Sequence, residues 1–204
     1  MLRRSLILLP ILLVAACGRG GDGAVVAAPD PTTTQTPAAL TATVDWAART
    51  ITVDGDVPFD VSFCDGEAPL LCITDDGTHL GVLELATFPE AVTDFDAWAS
   101  SFYDSIAADR TVGCDPTYAL DGEKPVAAPF AGALGVRYGF VGQTEGRPVE
   151  RVLGYAINDA GGLRLLVANA LADDACLARE SELPLDVIDD VAPLLAAIAE
   201  GSRF

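Results

Sequence analysis

Cysteine is the most chemically versatile residue type in this chain, and its positions narrow what it can do. Cysteines stand at 17, 64, 72, 114 and 176. A structural zinc site draws on close pairs such as C-x-x-C, and no two cysteines here are that close. Cys64, Cys72, Cys114 and Cys176 form an even set, which in an exported protein is expected to make two disulfides. Cys64–Cys72 is the favoured pair, because the intervening Asp65-Gly66-Glu67-Ala68-Pro69 is turn material that lets its ends meet at low cost. Cys114–Cys176 then remains, tying the middle of the domain to its end. On the chain-entropy model the short loop contributes about 2–3 kcal/mol and the long one about 4 kcal/mol.

Other chemistry finds little support. The one histidine, His79, follows the acidic turn Asp75-Asp76-Gly77-Thr78, where an exposed surface residue is expected. No serine sits in a G-x-S-x-G elbow, and no Walker A loop or G-x-G-x-x-G run occurs. One histidine is too few for catalytic zinc. Asp54-Gly55-Asp56, Asp75-Asp76 and Asp173-Asp174 are acidic, but none has the ligand spacing of an EF-hand, and they read as ordinary β-turns. No catalytic residue, metal or cofactor is therefore expected. With 30 acidic residues available, a small hydrolase working through two carboxylates is the alternative class, and a purely structural role is a third.

Charge excludes one set of partners. The 204 residues carry a net charge of −18. Residues 1–16 hold Arg3 and Arg4 and no acid; without them ten basic residues face 30 acidic ones, a net charge of −20. Such an excess repels nucleic acid and anionic lipid headgroups, so neither DNA nor RNA is expected as a partner.

The beginning of the chain reads as an address. Arg3 and Arg4 precede an apolar run over residues 6–14, too short to span a bilayer as a permanent helix. Small residues follow, and Leu13-Val14-Ala15-Ala16-Cys17 closes the segment. This arrangement resembles the signal peptide and lipobox of bacterial lipoproteins. The resemblance implies cleavage before Cys17, acyl chains such as palmitate on Cys17, and attachment to a membrane of the cell envelope outside the cytoplasm. Two or more chains anchor stably where one does not. Arg3-Arg4 leaves general secretion and twin-arginine export both open.

Residues 17–40 read as a tether rich in glycine, threonine and proline, with a reach of about 25–30 Å. The folded part is expected over residues 41–204 as one α+β domain. Alternation at Ala42, Val44 and Trp46, at Ile51 and Val53, and at Phe59, Val61 and Phe63 predicts short strands. Leu70-Leu71-Cys72-Ile73 and residues 79–88 predict two more. Thr93-Asp94-Phe95-Asp96 has the form of a capping box opening a helix to about Ala108. Phe95, Trp98, Ala99, Phe102 and Ile106 make one face of that helix, suited to packing on a sheet. Residues 114–129 are expected to be irregular. Strict alternation at Leu134, Val136, Tyr138 and Phe140, turns at residues 143–148 and 158–162, and apolar strands between and after them predict a three-stranded meander. A helix is expected from near Pro184, with Leu185, Ile188, Val191, Leu195 and Ile198 on one face and a bend or restart at Pro193.

This element order, with Gly135-Val136-Arg137-Tyr138 and Leu153-Gly154-Tyr155 in the meander, resembles the PsbP-like fold. That fold is an antiparallel sheet sandwiched by helices, found in photosystem-associated lumenal proteins and in bacterial lipoproteins of the LpqN type. The resemblance implies an accessory, adaptor or ligand-binding role, with another envelope protein or a small ligand as partner. It supplies no catalytic residue.

Overall fold

The computed structural model describes residues 39–110, 119–172 and 182–204. Residues 1–38 lie outside that set, and with them the signal segment, most of the tether and Cys17.

The long strands come from period-2 patterning closed by tight turns. β4 (Leu70–Asp75) and β5 (Thr78–Phe88) meet at Asp76-Gly77. β6 (Ala119–Phe130) and β7 (Ala133–Thr144) meet at Ala131-Gly132. β7 and β8 (Arg147–Asp159) meet at Glu145-Gly146. Both residues of each pair have positive φ, from 45° to 77°. That is the type I′ geometry whose twist matches antiparallel strands, and glycine at the second position makes it cheap. β9 (Gly162–Leu171) returns antiparallel to β8, completing the meander expected over residues 134–170.

Among the described residues one sheet holds eight strands. Its order runs from β3 (Asp60–Phe63) through β4, β5, β9, β8 and β7 to β6, with β10 (Leu183–Pro184) on β9. It is therefore two meanders joined where β5 pairs with β9. A second sheet holds β1 (Thr41–Asp45), β2 (Thr50–Asp54) and β11 (Ser202–Arg203). The pairing is antiparallel as expected, apart from β10 on β9 and β11 on β1, which pair in parallel over two residues each.

The helices cover opposite faces of the large sheet. Helix α1 (Phe95–Arg110) lays Phe95, Trp98 and Phe102 on Tyr138, Ala156, Leu163 and Leu165. Trp98 stacks on Phe102 at 5.4 Å and meets Tyr138 edge-on at 5.1 Å. The aromatic stripe thus packs on the sheet, as its spacing implies. Helix α2 (Ile188–Gly201) packs on the other face against Leu166, Ala168 and Ala170, together with Val44 and Trp46 of the small-sheet hairpin. The Trp46 indole N–H donates to Ser202 Oγ at 3.0 Å, and the Ser202 hydroxyl donates to the Ile198 carbonyl at 2.7 Å, tying that hairpin to the end of α2.

Three local expectations are corrected. The cap of α1 is Asp94, not Thr93: Asp94 Oδ1 accepts from the Ala97 N–H at 3.0 Å, so the helix starts one residue later than the capping box implies. Residues 119–129, expected to be irregular, belong to strand β6. Its register slips between Glu123 and Val126, around Lys124-Pro125, because an edge strand can hold a proline at a bulge where an inner strand cannot. The final helix begins at Ile188, since Pro184 is taken by β10, and it runs unbroken through Pro193. The N–H that Pro193 lacks would have bonded the carbonyl of Asp189, an exposed residue near the helix start.

Candidate functional site

Cys64 and Cys72 are joined, with Cα atoms 5.0 Å apart, at the β3–β4 hairpin. The Cys64 N–H donates to the Leu70 carbonyl at 3.0 Å. The Arg49 guanidinium donates to the Cys64 and Ala68 carbonyls at 2.6 and 3.1 Å and lies 5.0 Å from the Phe63 ring centroid, so it clasps the loop that the disulfide closes. Cys114, Cys176 and Asp173-Asp174 lie outside the described residues, as does Cys17. His79 is exposed on β5, opposite Thr74. Asp54, Asp56, Asp75 and Asp76 are exposed as well, and among the described residues no three His, Cys, Asp or Glu side chains gather as metal ligands.

A groove of about 740 Å³ opens where β8 begins and β9 ends, beside the segment that leads into α2. Its walls are largely apolar: Leu171 from β9, Pro184 from β10, and Leu185 and Val187 from the turn before α2. Among the described lining residues two are charged, Arg151 of β8 and Asp186. Arg151 Nη1 reaches Asp189 Oδ1 in the first turn of α2 at 2.7 Å. The Arg151 side chain is 29% exposed and that of Asp189 75%, so water screens the pair and its role is to orient the guanidinium rather than to hold the fold. Backbone groups around the groove are already engaged. The Ala172 N–H donates to the Val149 carbonyl at 2.9 Å, and the Leu185 N–H to the Leu171 carbonyl at 3.1 Å.

Asp186 is the one carboxylate among the described lining residues. Nothing local in the sequence marks the groove. Arg151 and Asp189 are 38 residues apart, and they meet because β8 register and the start of α2 converge.

A second polar feature lies beneath α1. Among the described residues, the Tyr138 hydroxyl is buried without a hydrogen-bond partner, as is Asn169 Oδ1. Burial raises the Tyr138 pKa above its ordinary value of 10.0, with smaller contributions from Tyr103 and Glu84, so the phenol stays protonated. A buried donor without an acceptor costs stability, and Tyr138→Phe is expected to raise stability by about 1 kcal/mol at pH 7. Because the folded pKa lies above the unfolded one, the unfolded chain ionises first as pH climbs past 10, and stability falls there. Chemical denaturation at pH 7 and pH 11 checks both points: the variant should be the more stable at pH 7 and should lose less than the wild type at pH 11.

No family model matches the chain, and no curated protein matches it. Among solved structures it is similar to the solution structure of cyanobacterial PsbP (CyanoP) from Synechocystis sp. PCC 6803, at a TM-score of 0.46 and 11% sequence identity, over 81% of this chain and 94% of that one.

Proposed function

We propose that this chain is a lipid-anchored, extracytoplasmic binding domain without catalytic activity, which uses the groove at the β8–β9 end to hold a segment of another cell-envelope protein. The observation that carries the reading is the groove itself, with apolar walls, one oriented guanidinium and one carboxylate. The Cys17 motif supports the anchor, and the net charge of −18 speaks against nucleic acid. Among the described residues no helix is long and apolar enough to cross a membrane. Confinement to a surface by a tether raises the effective concentration of the domain for a neighbour in the same membrane, so modest affinity is enough.

The test is site-specific photocrosslinking in intact cells. A photoreactive residue at Leu185 is expected to give a discrete adduct larger than the chain, and one at Thr52 of β2 is expected to give none. If Leu185 yields no more adduct than Thr52, this face is not the recognition surface. Mass spectrometry of the membrane fraction tests the anchor: an unmodified Cys17 in the mature protein would refute it.

A further inference from the structure

Building on the binding role above, we infer that the groove receives a basic peptide segment with apolar flanks, in which a lysine or arginine meets Asp186 while its neighbours lie against Leu171, Leu185 and Val187. The charges around the groove are not equally free. The Arg151 guanidinium, the one cation among the described lining residues, already has a carboxylate partner within the chain in Asp189 at 2.7 Å. Asp190 stands in the first turn of α2, where the positive end of the helix dipole offsets its charge. Asp186 precedes the helix, lines the groove, is exposed, and forms no ion pair among the described residues. Among the described lining residues an incoming cation thus finds one open carboxylate at an apolar wall.

Lysine and arginine suit such a place, because their methylene stems cover apolar surface while the charged head reaches a carboxylate, and arginine can bond it in two places. An acidic segment would instead meet Asp186 and the field of a chain with net charge −18. The Ala172 and Leu185 N–H groups beside the groove are already bonded within the chain, so these two are not open to strand addition.

Two fluorescent octapeptides, one alternating leucine with arginine and one alternating leucine with glutamate, would be titrated against the full chain in neutral detergent. The arginine peptide is expected to bind at least about tenfold more tightly than the glutamate peptide. Asp186→Lys should weaken it by about tenfold and Asp186→Asn by about threefold, whereas Asp54→Lys on β2, an equal change in net charge, should change it by less than about twofold. Equal losses from Asp186→Lys and Asp54→Lys would reduce the effect to the overall charge of the chain and overturn the inference. Equal binding of the two peptides would also overturn it. So would crosslinks from Leu185 that stay within the chain itself, which would make the occupant the chain's own. If the arginine peptide fails while Leu185 still captures a second protein, the basic segment is wrong and the docking role stands.

Discussion

Gly154→Ala is expected to destabilise the domain by about 3 kcal/mol, and Gly154→Val by more. Tyr138 stands opposite Gly154 on the neighbouring strand, and a Cβ there would overlap the ring and its hydroxyl, far closer than van der Waals contact allows. The ring has nowhere to go. It is 1% exposed and held edge-on by Trp98 at 5.1 Å and Phe102 at 6.1 Å. Relief must come from moving α1 away from the sheet or from shifting β8. A double-mutant cycle in urea with Tyr138→Leu isolates the clash. Tyr138→Leu costs stability alone, but Gly154→Ala should cost much less in its presence, a coupling of about 1–2 kcal/mol. Additive losses would show that Gly154 is needed for some reason other than the tyrosine.

Ile198→Ala is expected to cost about 2–5 kcal/mol. Ile198 is fully buried on the face of α2 that also carries Ile188, Val191, Leu194 and Leu195. Its carbonyl receives the Ser202 hydroxyl, so the cavity would open where α2, the small sheet and the large sheet meet. Glu200→Ala, two residues on and exposed, should stay within about 0.5 kcal/mol. Equal midpoints for the two variants in denaturant titrations would mean that this end of α2 does not support the fold. The same helix begins beside the groove and supplies Asp189 to Arg151.

Much of the architecture is local in origin and could be read from the chain. Asp76-Gly77 and Glu145-Gly146 mark hairpins because glycine tolerates the positive φ that a two-residue turn demands. Val136, Tyr138 and Phe140 alternate because one face of β7 lies under α1 while Arg137 points the other way. Phe95, Trp98 and Phe102 recur at helical spacing for the same reason. Cys64 and Cys72 sit on either side of a turn, and the bond between them follows from that nearness. Two errors also have a local cause. Thr93 and Asp94 are both good caps and sequence does not rank them, while prolines in 119–130 hide a strand whose pairing comes entirely from β7.

Composition and short-range pattern settled the charge, the strand-rich α+β class, the hairpins, the stripe of α1 and the Cys64–Cys72 bond, since each depends on residues near one another along the chain. The pairing of β5 with β9 across α1, the parallel contacts of β10 and β11, the seating of Tyr138 on Gly154 and the groove with its Arg151–Asp189 pair emerged only on folding. Each joins residues far apart in sequence, so its stability belongs to the assembled core and leaves no periodicity or spacing in any one stretch.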